Sequence, residues 1–136
     1  MKLLLFYAHS FYFKTASKVL KDVPDVELEK KTSNAVVVFF HVEEKDEKNP
    51  SKSVSKFTKN TKWLCRKFDT KNVVLHSFNH LSLSKASPEF ANKVLQEVTL
   101  RLERTGHEVN ATPFGYFNEF DIHVAGDSLA KVYKEF

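Results

Sequence analysis

One histidine of this sequence stands where an active site is expected. His80 follows a β-branched segment and shares a polar loop with Asn79, Ser82 and Ser84. Loops at the ends of a sheet carry binding and catalytic residues more often than the strands do. We therefore predict that His80 takes part in the chemistry of this protein.

The other histidines favour structural roles. His41, His76 and His123 fall inside predicted strands, where a half-buried imidazole bonded to the backbone is expected. His107 follows a glycine that ends a predicted helix, where a cation suits the helix dipole. No histidine pair with HxxxH spacing lies on a predicted helix, and the single cysteine, Cys65, excludes a cysteine-based zinc site and an internal disulfide. The sequence predicts no metal site.

No side-chain nucleophile stands out. Ser82 and Ser84 lack the GxSxG pattern of a nucleophile elbow, and Cys65 falls on the apolar arc of a predicted helix. The chain has only three glycines, too sparse for a phosphate-binding glycine loop. Residue chemistry alone therefore names no reaction.

A basic helix is the second functional signal. It begins at Asn49–Pro50, a cap followed by a favoured first residue, and no acidic residue interrupts the segment from Lys48 to Phe68. Trp63 is predicted to project among its lysines. The arc is either a solvated face or a site for an anionic partner, and the net charge of +4 permits nucleic acid. If that partner is RNA, the residues expected to contact phosphate are Lys56, Lys59 and Arg66.

The remaining pattern predicts one α/β domain over residues 1–136. The composition, 42% hydrophobic and 28% charged, is that of a globular chain, and its longest apolar run is too short to span a membrane. A single thiol fits the cytosol. The predicted order is β-β-α-β-α-β-β-α. The first three strands are Leu3–Tyr7, Ala35–Val42 and Asn72–Phe78, and the first two helices run from Pro50 to Phe68 and from Pro88 to a stop at Gly106. A hairpin of Glu108–Thr112 with Phe117–Val124 and a last helix, Ser128–Tyr133, follow. The segment from Phe11 to Lys31 carries no clear pattern beyond a break at Pro24 and a loop at 30–33.

Four groups of residues together resemble one family. The chain is similar to the N-terminal editing domain of archaeal threonyl-tRNA synthetases, whose fold is related to that of D-aminoacyl-tRNA deacylases. The resemblance runs in order along nearly the whole chain, through Asn34–Phe39 with Val42–Glu43 and Asp46–Pro50, His80–Ser82 with Ala86–Pro88, Pro113–Tyr116 with Phe120, and Gly126 with Leu129.

The resemblance implies hydrolysis of serine wrongly esterified to threonine tRNA. A pocket for threonine excludes serine weakly, because one methylene is worth only about 1–3 kcal/mol, so a second site must remove the error. In the family the attacking water is positioned by backbone groups and the ribose 2′-hydroxyl of the tRNA. The resemblance further implies an α/β sandwich, a homodimer, no cofactor and a cytoplasmic protein that is free-standing or part of a synthetase. It assigns substrate binding to Asn79, Ser82, Pro113, Phe114, Gly115 and Tyr116.

The chain departs from the family at the expected catalytic positions. Phe117 and Asn118 stand where the family usually has Tyr and Lys, and Lys131 stands where it usually has Glu. Either the RNA-assisted chemistry tolerates these changes, or the activity is weak or altered. Lys131 could also supply the cation that position 118 lacks. Two other functions stay open: a D-aminoacyl-tRNA deacylase, and a non-catalytic module that binds tRNA or dimerises.

Overall fold

All 136 residues are described by a computed structural model. The chain forms strands β1 (Lys2–Lys18) and β2 (Glu29–His41), helix α1 (Pro50–Lys67), strand β3 (Asn72–Ser77), helix α2 (Pro88–Arg104), and strands β4 (Glu108–Ala111), β5 (Tyr116–Val124) and β6 (Lys131–Glu135). Single 3₁₀ turns span Glu44–Lys48 and Ser128–Ala130. The six strands form one sheet in the order β4-β3-β2-β1-β5, and β6 also pairs with β1. This confirms the predicted α/β class.

The central strands are buried on both faces, as the apolar run in β2 predicts. Residues 35 to 42 are all buried. β2 pairs in parallel with β3, and β3 in parallel with β4, so α1 and α2 are the crossover connections that parallel strands require. The carboxyl ends of these three strands meet at one edge of the sheet, where ligands bind in many α/β folds.

Both helices begin at their predicted caps. Asn49 Oδ1 accepts from the Lys52 amide (3.3 Å), and Ser87 Oγ accepts from the Phe90 amide (3.2 Å). Gly106, at φ +83°, follows the last turn of α2, as the helix stop predicts. The apolar arcs of both helices pack on one face of the sheet in a core of 18 buried residues.

A second, aromatic cluster lies on the other face of the sheet. It gathers Phe11, Phe13 and Phe39 among seven buried residues. The pairing of β1 with β5 shifts register twice, between Ala8 and Ser10 and between Thr15 and Ser17. Such bulges bend a strand and increase its twist, which lets the sheet curl over its own apolar face.

The predicted hairpin is wrong. β4 lies at one edge of the sheet beside β3, whereas β5 lies beside β1. The predicted turn is present, since Gly115 adopts φ +84°, but the two strands it joins do not pair with each other. Gly115 O accepts from the amides of Val19 (2.7 Å) and Leu20 (3.2 Å), which ties the β4–β5 connection to the end of β1.

The predicted last helix is also wrong. Only Ser128–Ala130 turn, and residues 131–135 form β6, which pairs with the first residues of β1. Val132 and Tyr133 favour a strand, and the open edge of β1 supplies its partner. The unassigned segment holds the second half of β1 and the start of β2, and residues 30–33, expected as loop, belong to β2. Its break at Pro24 falls in the connection between the two strands.

Candidate active site

A cavity of about 620 Å³ opens at the carboxyl ends of β3 and β4. Its wall combines the loop after β3, the first turns of α2, the β4–β5 connection and the first residues of β5. The sequence-predicted residues that line it are Asn79, His80, Pro113, Phe114, Gly115, Tyr116, Phe117 and Asn118. The structure thus brings two distant sequence stretches into one site. Ser82 and Lys131 do not line it.

The backbone around His80 is fixed by a second, buried histidine. His41 Nδ1 accepts from the Leu81 amide (3.1 Å), and His41 Nε2 donates to Ser84 O (2.7 Å). Because Nδ1 accepts, His41 is neutral with its proton on Nε2. The prediction that His41 is satisfied by the backbone is confirmed. His80 is exposed, its ring 5.0 Å edge-on from Phe78, and the Asn79 and His80 amides have no protein partner.

Ser82 holds this loop to the rest of the protein. Its hydroxyl donates to Glu43 Oε2 (2.7 Å) and accepts from the Ser84 amide (3.1 Å). The other oxygen of Glu43 accepts from the buried ammonium of Met1 (2.6 Å), which also contacts Asp46 (2.9 Å). Burial alone would raise the pKa of Glu43. Hydrogen bonds from the Met1 ammonium and Ser82, with the ammonium charge, lower that pKa instead to about 2.

Tyr116 and Gly115 shape the opposite wall. The Tyr116 hydroxyl donates to Pro24 O (2.6 Å) and accepts from the Val26 amide (2.8 Å), so it is committed to the connection between β1 and β2. A Cβ on Gly115 would lie 2.9 Å from Val23 Cγ1, so glycine is required both by the close approach and by its positive φ.

Asn118 contributes an unsatisfied polar atom. Its Nδ2 donates to Tyr116 O (3.3 Å), but its Oδ1 is buried and has no hydrogen-bond partner. Phe117, beside it, is 64% exposed at the cavity rim. Position 118, where the resemblance implies a lysine, therefore carries an acceptor here.

Sequence reasoning missed His76, which forms part of the cavity floor. Its Nδ1 bonds to Thr112 Oγ1 (2.9 Å), a side chain rather than the predicted backbone group. Its ring lies 4.9 Å from that of Phe39 and 5.3 Å from that of Phe120. Burial lowers the pKa of His76 to about 4. The signal was the period of two in β3, which places His76 on the face of Val74, away from the helices.

Two other histidines differ from their predicted roles. His123 is exposed, with its ring 5.0 Å from that of His9, and its imidazole makes no hydrogen bond to the backbone. His107 Nδ1 lies 3.2 Å from Leu102 O, but burial lowers the pKa of His107. Desolvation therefore opposes the cation that the helix dipole would favour.

The basic arc of α1 is exposed, as predicted. Lys56, Lys59 and Arg66 are exposed and form no salt bridge. Trp63 differs from its prediction, because it is half-buried and packs against the core. Lys134 Nζ lies 5.2 Å from its ring centroid. The arc therefore presents cations rather than a free aromatic ring.

Lys131 lies away from the cavity. It begins β6 opposite Phe6, and its Nζ lies 3.4 Å from both Gly126 O and Asp127 O. The structure does not bring Lys131 into the cavity, because a strand rather than a helix carries it, so the idea that it replaces the missing pocket cation stays a prediction.

Comparisons with known proteins agree with this architecture. The fold matches that of a solved structure, the c-Myc DNA Unwinding Element Binding Protein, with a TM-score of 0.68 over 100% of this chain and 99% of that one at 13% identity. The two proteins therefore share an α/β fold. The model of the archaea-specific editing domain of threonyl-tRNA synthetase matches residues 1–136. The chain therefore belongs to that family.

Curated relatives are archaeal threonine–tRNA ligases. That of Hyperthermus butylicus is 30% identical over 142 residues, and that of Thermococcus onnurineus is 32% identical over 135 residues. The chain spans 23% and 22% of their lengths. No helix here has the length and apolar character to cross a membrane. No group of three or more His, Cys, Asp or Glu side chains is arranged to hold a metal ion.

Proposed function

We propose that this domain hydrolyses the ester of serine wrongly attached to threonine tRNA, as part of a cytoplasmic threonyl-tRNA synthetase or of a free-standing editing protein. The observation that carries the proposal is the shared cavity of the His80 loop and the β4–β5 connection. Family membership supports editing as the function, and the residues that line the cavity include no Cys, Asp or Glu.

Hydrolysis in this cavity needs only an activated water. Water attacks the ester carbonyl carbon, the bond from that carbon to the ribose oxygen breaks, and a proton from the water passes to the ribose oxygen. The products are free serine and tRNA. The terminal ribose 2′-hydroxyl and backbone groups would position the water, which explains why no side-chain nucleophile is required.

The amides of Asn79 and His80 suit the developing oxyanion. Both belong to the loop that His41 and Ser82 fix, and neither donates within the protein. Preorganised backbone donors stabilise a tetrahedral intermediate strongly, because they need no reorganisation during the reaction. We expect His80 at the rim to contact the terminal adenosine, and Phe117 to pack on it.

A deacylation assay tests the proposal directly. We expect the protein to release serine from seryl-tRNA for threonine, and threonine from the cognate ester far more slowly. His80→Ala should reduce release, with the exposed His123→Ala as the matched control. No acceleration over the spontaneous rate at saturating protein would contradict the proposal.

Two alternatives are outcomes of that assay. Release of D-amino acids in preference to L-serine would indicate a chiral proofreader. Binding of tRNA without any release would indicate a binding or dimerisation module, which the missing family residues at 117 and 118 make a real competitor. A homodimer is proposed from the resemblance alone, and the molecular mass in solution tests it.

The exposed arc of α1 is proposed to contact the tRNA backbone. Replacing Lys56, Lys59 and Arg66 together with Ala should weaken tRNA binding about tenfold and flatten its salt dependence, because each lost phosphate contact removes about 0.7–0.9 from the log–log slope. The matched control replaces Lys93 and Arg104 of α2 with Ala. An unchanged slope would show that the arc is merely solvated.

A further inference from the structure

The polar groups around the cavity fall into two sets. Some have protein partners, such as the Tyr116 hydroxyl with its two hydrogen bonds. Others lie in the exposed loop without a partner, such as the amides of Asn79 and His80. Two further unpartnered atoms belong to residues that are not exposed. Asn118 Oδ1 is buried without a partner, and His76 bonds only through Nδ1, which leaves Nε2 free.

The free nitrogen of His76 faces the cavity. Asn118 Oδ1 is the only side-chain nitrogen or oxygen that is both buried from solvent and unpartnered, so His76 Nε2 must retain some accessible surface. His76 as a residue is only 6% exposed, and it lines the cavity. A ligand in the cavity can therefore reach this nitrogen.

The chemistry of the two atoms defines what would satisfy them. When Thr112 donates to His76 Nδ1, Nε2 carries the proton and donates; in the other tautomer Nε2 accepts. A hydroxyl donates and accepts, so it matches either tautomer. Asn118 Oδ1 only accepts, but it is buried from solvent, so His76 Nε2 is the atom of the two that a ligand can contact. An amino acid such as serine carries a side-chain hydroxyl.

We infer that His76 is a specificity-determining residue that recognises the side-chain hydroxyl of the bound aminoacyl group. This inference rests on the function proposed above. It explains why the floor of the cavity is otherwise aromatic, with Phe78 and Phe120 beside His76, since one polar contact among apolar rings gives strong selection for a hydroxyl.

The electrostatics of the floor agree with this assignment. Burial lowers the pKa of His76 to about 4, so the imidazole is neutral near pH 7 and does not repel an ammonium. Asn118 is also neutral, where a lysine would repel the same group. His76 does not separate serine from threonine, because both carry the hydroxyl. It separates hydroxyl-bearing amino acids from alanine and glycine.

Binding of non-hydrolysable probes tests the inference without catalysis. The probes are 3′-amino-3′-deoxyadenosine acylated through an amide with serine or with alanine, titrated by calorimetry. The wild-type protein should bind the seryl probe at least tenfold more tightly. His76→Phe should remove that preference, with alanyl binding changed less than twofold. His76→Gln, whose amide also donates and accepts, should retain part of it, and His123→Phe all of it.

The outcomes separate the two proposals. Equal binding of both probes by the wild type, no measurable binding of either, or an unchanged preference in His76→Phe would overturn the inference. If His76→Phe fails to fold, the wild-type preference and the Gln variant still decide. A seryl preference that depends on His76, in a protein that releases no amino acid from tRNA, would overturn the proposed hydrolysis and leave this inference standing.

Discussion

The loop that carries His80 faces the same cavity as His76 of β3 and Asn118 of β5, which together are called the wall below. The two regions differ in how many of their buried polar side chains are hydrogen-bonded within the protein. In the loop, Ser82 and Ser84 are bonded within the protein, and His41 uses both ring nitrogens. In the wall, one oxygen and one nitrogen have no partner.

This difference suggests that the bonded side chains hold the loop in place, whereas the unpartnered nitrogen of the wall is available to a ligand. A buried hydrogen-bonded group fixes the backbone, and losing one partner leaves the other unsatisfied, which costs about 1–3 kcal/mol of folding free energy. An unpartnered atom lowers stability in the free protein and gains a partner only when ligand binds. We therefore expect changes below the loop to affect stability and changes in the wall to affect selectivity.

The largest effect is expected from Glu43→Gln, which breaks the support of the loop. Glu43 is 6% exposed and joins the Met1 ammonium to Ser82. Its pKa of about 2 lies below the ordinary 4.5, so its carboxylate stabilises the fold fully above pH 4.5. That stabilisation is lost as the pH falls through 2. The variant should lose about 3 kcal/mol at pH 7 in urea unfolding.

The neighbouring Glu44→Gln is the control for this change. Glu44 is exposed and forms no salt bridge, so its loss should stay within about 0.5 kcal/mol. The acid limb of the stability profile, between pH 4.5 and 2, should also flatten in the Glu43 variant only. Equal stability of the two variants would mean that the ion pair contributes nothing net.

The sequence predicted the loop better than the wall, for physical reasons. His80 and the start of α2 follow from local signals, a strand end and a cap, which need no knowledge of the rest of the chain. The wall depends on where β5 pairs. Local turn chemistry at Pro113–Tyr116 predicts a reversal but not the partner, and β1 offers a longer edge to β5 than β4 does.

The same limit explains the missed residues. β6 is a strand because it pairs with the open edge of β1, and the sequence of residues 131–135 carries no information about that distant partner. His76 becomes a floor residue because β4 brings Thr112 beside it and β5 brings Phe120. The period of two in β3 fixes the face on which His76 lies, but only the assembled sheet shows that a cavity lies there.

The second prediction concerns the pH dependence of stability through His76. Its folded pKa of about 4 lies below the ordinary 6.5, so the unfolded chain binds more protons below pH 6.5 and the fold loses stability as the pH falls from 6.5 towards 4. Between pH 7 and pH 5 this group costs about 2 kcal/mol.

His76→Phe isolates that contribution. Unfolding at both pH values should show the variant losing about 2 kcal/mol less than the wild type between them. His107 also has a lowered pKa, so the stability of both proteins falls further with pH for a second reason. Only the difference between the two stability profiles therefore reports on His76. Parallel profiles would indicate that His76 is solvated rather than held in an apolar floor.

The smallest effects are expected at two lysines of β6, which lie in neither region. Lys131 is exposed, and its ammonium lies 3.4 Å from two backbone oxygens at the surface. Lys134 is half-buried, and its ammonium lies 5.2 Å from the Trp63 ring centroid. Cation–π contacts at exposed sites contribute about 0.5–1 kcal/mol. Lys134→Ala should therefore lower stability by about that amount, and Lys131→Ala by less than about 0.3 kcal/mol.

Both variants should release serine at the wild-type rate, because neither lysine lines the cavity. A tenfold loss in Lys131→Ala alone, about 1.4 kcal/mol in the barrier, would mean that tRNA binding brings this cation to the ester, and that the site extends to β6 in the complex. Unchanged release of serine in both variants would mean that neither lysine of β6 belongs to the site. The proposed hydrolysis would then depend on the amides of the His80 loop and on the tRNA itself, without the lysine and the glutamate that the resemblance implies at positions 118 and 131.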